Sequence, residues 1–321
     1  MEPGLTNQTI PLFPASLILL TYNQQDSVTA AIKAVLAQQC APIEIILSDD
    51  ASPDGTFKIL QDLAAGYTGP HHVIARRNPV NLGINAHLEC LVDCARSDLL
   101  IWAAGDDIST SDRAQKVMNA HAKTGAKLIF SDADTRMQDG GEGHALYKKA
   151  TFYKAFDLTE VAASFSLFLG ATAATHKSLF KRYGPLPAAR AHEDLILGFR
   201  AAMENSIHHI PEPLVSYQEE EGVTGTHAAQ QDRQVILQGQ WTVLQQRLKD
   251  ARTFGLAQTD PVMQVLINQS RWFAMRQRYY APRFTLSVVD LRHPLQLVHA
   301  FVSEWLRARK SRKPHPDRSN G

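Results

Sequence analysis

Three apolar runs stop abruptly at polar or acidic residues, and stretches with helical spacing separate them. Leu17-Ile18-Leu19-Leu20 stops at Thr21-Tyr22-Asn23, Ile43 to Leu47 at Ser48-Asp49-Asp50, and Leu99 to Ala104 at Gly105-Asp106-Asp107. A weaker run, His72-Val73-Ile74-Ala75, lies between the last two. In the intervals, Val28, Ala31, Ile32, Val35 and Leu36, then Phe57, Leu60 and Leu63, then Ile84, Leu88, Leu91, Val92 and Ala95 repeat with the period of a helix. Asp26 or Ser27 can cap the first helix, Pro42 follows its end, and Asp54-Gly55 turns the chain into the second. Such alternation predicts an α/β fold with a mostly parallel sheet and helices on both faces. Lys127 to Ser131 adds a further strand.

After residue 136 the pattern loosens. Asp139-Gly140-Gly141-Glu142-Gly143 reads as a flexible excursion, and Phe165 to Ala174 as either strand or helix. Glu193 to Met203 has helical spacing, and Ile207 to Tyr217 is extended around Pro211 and Pro213. Three amphipathic stripes follow: Leu237, Trp241, Leu244, Leu248; Val262, Val265, Leu266, Gln269, Trp272, Phe273; and Leu295, Val298, Val302, Trp305, Leu306. The expected organisation is a sheet domain over 10–225, a helical region over 226–313 and a disordered tail over 314–321.

With 321 residues and 44% hydrophobic content, the chain can bury a sizeable core. A formal net charge of +1 gives no reason to expect nucleic acid as a partner. Three cysteines, Cys40, Cys90 and Cys94, are too few for a disulfide framework and favour a reducing compartment. No basic and apolar leader opens the chain and no apolar run reaches 18 residues, so a cytoplasmic location is expected.

In an open parallel sheet, the carboxyl ends of the strands are where ligands bind. The segments after residues 20, 48 and 104 all reach that edge. Paired carboxylates about 4 Å apart repel by roughly 4 kcal/mol at an effective dielectric near 20. A divalent cation offsets that cost, because hard cations take oxygen ligands; the alternative for Asp106-Asp107 is a polar turn that caps the next helix.

Taken in order, Thr21-Tyr22-Asn23, Asp49-Asp50-Ala51-Ser52-Pro53-Asp54-Gly55-Thr56, Asn81-Leu82-Gly83-Ile84-Asn85, Gly105-Asp106-Asp107 and His192-Glu193-Asp194 resemble the landmarks of family 2 glycosyltransferases. The resemblance covers roughly residues 15–225 and implies a GT-A fold, a Rossmann-like sheet between helices. It implies an inverting transfer of sugar from a nucleotide-sugar donor to a glycan or lipid-linked glycan acceptor. Asp107, with Asp106, would hold Mg²⁺ or Mn²⁺ against the departing diphosphate. Thr21, Tyr22, Asn23, Asp49, Asp50, Gly83 and Asp106 would bind the donor, and Asp194 would be the general base. Two other classes remain open: a nucleotidyltransferase, which lacks here the basic, Gly-rich triphosphate loop it would need, and a sugar-nucleotide-binding scaffold without catalysis.

Asp132-Ala133-Asp134 also follows a strand and fits a literal Asp-x-Asp pattern, but the distance of Gly105-Asp106-Asp107 from Asp50 matches the family layout. Relatives often carry Tyr-Arg-x-His after the catalytic acid; here Tyr217-Gln218-Glu219-Glu220-Glu221 stands there, leaving Arg76, Arg77 and His227 as candidate substitutes at the phosphates. His87, Cys90 and Cys94 share a helical face, which reads as core burial of the cysteines, since a structural metal site needs a fourth ligand. The histidine pairs His71-His72 and His208-His209 are expected at strand edges. The stripe over 294–313 runs into Arg307, Arg309, Lys310, Arg312 and Lys313, and reads as a peripheral membrane contact or as a solvated helix end.

Overall fold

The structure is a computed structural model that describes residues 13–136, 146–187, 191–218, 233–280 and 293–311. Within them, strands β1 (Ser16–Thr21), β2 (Glu44–Asp49), β3 (His72–Arg77), β4 (Leu99–Ala104), β5 (Ile108–Ser109), β6 (Leu128–Arg136), β7 (Ala174–His176) and β8 (Ile207–Gln218) form one sheet. Their order is β3-β2-β1-β4-β7-β6-β8-β5. The first four are parallel, as the strand–helix alternation requires. Beyond them β7 runs antiparallel to β4 and β6, β8 is parallel to β6, and β5 is antiparallel to β8.

The period of two along each strand divides the core. Leu17, Leu19, Ile45, Leu47, Leu99 and Ile101 face a layer containing α1 (Val28–Leu36), α2 (Thr56–Ala65) and α4 (Arg113–Thr124). Ile18, Ile46, Leu100 and Trp102 face the other way, toward α3 (Ile84–Cys94), α5 (Leu158–Ala163), α6 (Ser178–Lys181) and α7 (Glu193–Met203). That second layer continues into α8 (Arg233–Phe254) and α9 (Pro261–Arg278), whose Leu237, Leu244, Leu248, Met263, Leu266 and Phe273 join the same cluster. Among the described residues, those before 219 and after 232 therefore share one hydrophobic cluster. Helix α10 (Pro294–Ser311) packs on α9.

Several local expectations change. Phe165 to Ala174 is mostly irregular, with a 3-10 turn at Gly170–Thr172 leading into β7. The cysteines are not core residues: Cys94 is exposed, and Cys40 and Cys90 are half-buried. On that shared face only His87 is buried, because Ser48 provides a polar partner for it. The histidine pairs stand at strand ends as expected, His71-His72 at the start of β3 and His208-His209 at the start of β8. The excursion 139–143, the acids Glu219–Glu221, His227 and the tail 314–321 lie outside the described residues.

The α7–α8 contact contains a fully buried ion pair, Arg200 Nε to Asp250 at 2.7 Å, with Gln246 Nε2 donating to the same carboxylate at 2.7 Å. Removing one member of such a pair strands the other charge in a low-dielectric interior. Asp250→Ala should therefore lower the unfolding free energy by about 3–5 kcal/mol, read by urea denaturation; a midpoint equal to wild type would show that the pair contributes nothing.

Candidate functional site

The end of β1 is where the site is assembled. Asp50 N–H donates to the Thr21 carbonyl at 2.9 Å, and Gly105 N–H to the Leu20 carbonyl at 3.0 Å. The loops after β2 and β4 thus flank the loop after β1. Gly105 permits this approach: a Cβ there would lie 2.4 Å from Gln24 Oε1 and 3.0 Å from Thr21 Cγ2. Thr21 is buried and its hydroxyl donates to the Ser48 carbonyl at 3.1 Å, whereas Tyr22 is 49% exposed and stands at the rim.

Asp49 and Asp50 shape the loops beside them. Asp49 is fully buried; it accepts from Ser52 N–H at 2.9 Å and from the Ser52 hydroxyl, and pairs with Arg77 Nε at 3.1 Å. Ser52 Oγ in turn accepts from Asn23 N–H at 2.8 Å. Asn23 and Ala51 both hold left-handed backbone, φ 56° and 61°, a strain that these bonds sustain. Asp50 accepts from Asn78 Nδ2 at 2.7 Å and from the N–H groups of Leu82 and Gly83, each at 2.9 Å. Behind it, Arg76 donates to Ser48 Oγ at 2.7 Å and Asn78 Oδ1 at 2.6 Å, while His87 Nε2 meets Ser48 Oγ at 2.6 Å. Arg76 and Arg77, two of the candidate phosphate partners, are therefore committed to holding this loop pair. Ser48 and Ser52 lay inside the landmark after β2 without a role of their own, His87 was read only with the cysteines, and Asn78 carried no signal.

Asp107 is 5% exposed and accepts from Gln218 N–H at 3.1 Å; Asp106, beside it, is more open to solvent. The unusual segment after residue 217 thus begins in contact with the acidic pair. Burial, and then the Asp106 charge, push Asp107 up to about 7. Its offsetting cation is Arg113 at the start of α4, itself 1% exposed and lowered to about 10 by burial. Arg113 donates to Ser109 Oγ at 2.9 Å, the Trp102 carbonyl at 2.7 Å and the Ala171 carbonyl at 3.2 Å. Among the described residues, no group of three or more His, Cys, Asp or Glu side chains is disposed around a metal position. Two adjacent hard carboxylates with incompletely offset charge nonetheless fit Mg²⁺ or Mn²⁺, which characteristically take one or two protein carboxylates and complete their shell with phosphate and water.

Asp194 occupies the first turn of α7 and accepts from Leu195 N–H at 2.7 Å. Burial raises its pKa, against the opposing charges of His192 and Arg247. Glu193 is pushed up to about 8 by burial and by Asp194. Gly170 lies against Asp194: a Cβ on it would be 3.3 Å from Asp194 Cβ. Because the next residue, Ala171, bonds Arg113, one short turn connects Asp194 to the group that partly offsets Asp107. Asn85 Nδ2 donates to the carbonyls of Pro187 and Ala191, tying the start of α3 to the approach to α7. The Asp-x-Asp alternative is placed differently. Asp132 pairs with His209 Nε2 at 2.9 Å and Asp134 is exposed, two strands away from β4.

His87 supplies a pH handle on this network. Burial lowers it to about 4, against the raising fields of Asp50 and Asp49. It is therefore neutral in the fold and takes up a proton on unfolding below its ordinary value. Its contribution is complete above pH 6.5 and is lost as pH falls toward 4, about 3 kcal/mol over that window. His87→Gln should flatten the fall in melting temperature between pH 6.5 and 4; an unchanged slope would place the titration elsewhere.

Residues 16–184, just over half of the chain, match the family described as glycosyl transferase family 2. A putative glycosyltransferase of Bacillus subtilis is 34% identical over 101 residues, 32% of this chain and 36% of that protein. An abequosyltransferase of Salmonella typhimurium is 28% identical over 119 residues, 36% of this chain and 35% of that one. The chain spans little more than a third of the length of these curated relatives. Residues 1–349 of Staphylococcus aureus TarS, solved with UDP-GlcNAc, superpose with a TM-score of 0.65 at 13% identity, covering 96% of this chain and 95% of that one. A Pyrobaculum calidifontis mannosyltransferase solved with GDP-Man and Mn²⁺ gives 0.56 at 18% identity, covering 96% and 79%. These likenesses show the fold, which is the GT-A arrangement that the family resemblance implied. The chain belongs to glycosyl transferase family 2.

Proposed function

We propose that this protein transfers a sugar, with inversion, from a nucleoside diphosphate donor to a hydroxyl of a glycan or lipid-linked glycan in bacterial surface polysaccharide synthesis. What supports the reading is that the loops carrying Asp50 and Asp106-Asp107 flank the end of β1, and that the turn at Gly170, which lies against Asp194, also bonds Arg113 through Ala171. Relatives and neighbours agree in class: an Escherichia coli relative, 25% identical over 116 residues, is a UDP-Glc-dependent glucosyltransferase acting on a diphosphoundecaprenol-linked sugar.

In this reading Tyr22 and the loop that Asp49 and Asp50 shape receive the nucleoside, with Thr21, Asn23 and Gly83 lining it. Asp106, the more open carboxylate, and Asp107 hold Mg²⁺ or Mn²⁺. When bound, the cation supplies Lewis-acid neutralisation of the diphosphate. Asp194 takes the proton from the acceptor hydroxyl. The freed oxygen attacks the anomeric carbon opposite the diphosphate, the carbon–oxygen bond to the diphosphate breaks, and one displacement inverts the centre. Asp107→Ala should abolish transfer, whereas Asp134→Ala should leave donor binding intact; the opposite pattern would move the cation site to β6. A thermal-shift screen of UDP-, GDP- and dTDP-sugars with and without Mn²⁺ identifies the donor, since a ligand at a hundred times its Kd stabilises by about 2.7 kcal/mol. Mn²⁺-dependent hydrolysis of that donor separates an enzyme from a binding scaffold.

The acceptor class motivates a peripheral membrane contact through α10. No helix among the described residues is long and apolar enough to cross a membrane. In α10, Ala300 and Glu304 are buried, and Glu304 is held by Arg276 Nε, by Tyr280 Oη at 2.8 Å and by Arg233 Nε at 3.2 Å. That clamp turns Leu295, Val298, Val302, Trp305 and Leu306 outward, 47–84% exposed. The sequence then adds Arg307, Arg309, Lys310, Arg312 and Lys313, each basic residue worth about 1 kcal/mol near anionic lipid. Val298→Glu with Val302→Glu should cut sedimentation with phosphatidylglycerol vesicles at least fivefold without lowering the melting temperature; undiminished binding would dismiss this surface.

A further inference from the structure

The guanidinium of Arg247 in α8 is fully buried and, among the described residues, makes no hydrogen bond to a carboxylate. Its Nη1 donates to the carbonyls of Val161, Ala162 and Ser164 at 3.2, 3.1 and 2.8 Å, gathering the last turn of α5. Its Nε and Nη2 both donate to the Leu195 carbonyl, at 3.1 and 2.8 Å. The rings of Phe165 and Phe199 lie 5.8 and 5.6 Å from its carbon centre. Carbonyls and ring faces stabilise a cation but do not neutralise it. The neighbouring pair Arg200 and Asp250 is balanced within itself, so Asp250 is not available as a counter-charge. Asp194 stands one residue before the carbonyl that Arg247 grips, and its charge works against the lowering of Arg247 by burial.

We propose that Arg247 is the positioning residue for Asp194: from the helical layer outside the family-matched segment, it fixes the first turn of α7 through Leu195 and supplies the counter-charge of the carboxylate. This rests on the reading of Asp194 as the base. Two linked consequences follow. Arg247 fixes the first turn of α7 through the Leu195 carbonyl, with Asp194 close against Gly170, where an added Cβ would be 3.3 Å from Asp194 Cβ, so a small rotation of α7 displaces it. Arg247 also favours the ionised form that a base requires. Among the described residues, the charged groups acting on Asp194 are His192 and Glu193 beside it and Arg247 from α8. Of these, only Arg247 belongs to another element. The helices after residue 232 then belong to the catalytic apparatus, because the base stands where α8 puts it.

The test uses the full chain and two readouts. The first is a melting-temperature cycle at pH 8 of wild type, Arg247→Gln, Asp194→Asn and the double variant. Pairing predicts that Arg247→Gln lowers the melting temperature at least twice as much in the wild-type background as in the Asp194→Asn background; equal losses overturn the pairing. The second is Mn²⁺-dependent hydrolysis of UDP-GlcNAc or GDP-mannose, whichever gives the larger thermal shift. Arg247→Gln should lower kcat at least tenfold with donor KM within twofold and move the acidic limb of the pH profile up by about one unit, because Asp194 loses the charge that favours ionisation. Arg247→Lys, which keeps the charge, should return the limb toward wild type. An unmoved limb in Arg247→Gln overturns the electrostatic role. Where Arg247→Gln does not fold, Arg247→Lys decides: a tenfold loss in kcat at constant KM supports positioning, and wild-type kcat overturns it. Asp194→Asn that hydrolyses donor at the wild-type rate refutes the base reading itself, and the melting cycle then reports on the pairing alone.

Discussion

The parallel register of β2, β1 and β4 is the constraint on which the rest depends. Thr21 pairs with Asp49 and Leu20 with Ala104, so the acids that follow β2 and β4 arrive at one level on either side of β1. A shift of a single residue would reverse every side chain, exposing Leu17, Leu19, Ile45 and Leu47 to the wrong layer. The register that buries the core is therefore the register that assembles the acids. Gly105 then lets the loops approach closely, since a side chain there would press on Thr21 and displace the Gln24 amide.

Concentrating carboxylates at one edge raises an electrostatic cost, which the protein offsets with cations placed from other elements. Arg77 pairs with Asp49, and the charges of Arg113 and Arg247 act to lower Asp107 and Asp194. Each cation is also bonded to backbone carbonyls: Arg77 to Ser52, Arg113 to Trp102 and Ala171, Arg247 to Leu195 and the end of α5. Charge balance and loop position are thus set by the same groups. The offset at Asp107 is incomplete, because Asp106 adds a second negative charge beside it. A site with that residual charge favours a divalent cation arriving with its own anionic ligand.

Much of the fold was legible in the sequence because its first hundred residues repeat one physical pattern. Residues 17–20, 43–47 and 99–104 announced buried strands, and the helices between them followed from spacing. The acids stood out because charge at the end of an apolar run is costly without a partner. The cations that answer them were not legible. Arg113 lies in a helix for which the sequence offered no reading and Arg247 in an amphipathic stripe, and their burial depends on packing between segments distant in the chain. Phe165 to Ala174 misled for a related reason: its apolar residues serve as filling between sheet and helices, which leaves no period. The shared core also conceals the boundary expected near residue 225, since Leu237 and Leu266 pack in the same cluster as Ile18 and Leu100.

The central claim is that the acids at the end of β1 form a cation site for a nucleotide diphosphate. Crystals soaked with UDP and Mn²⁺, with data collected at the manganese absorption edge, test it most directly. One anomalous peak is predicted within about 2.0–2.6 Å of an Asp106 or Asp107 carboxylate oxygen, with the diphosphate completing its coordination. A peak between Asp132 and Asp134, or a nucleotide bound away from the end of β1, would contradict it.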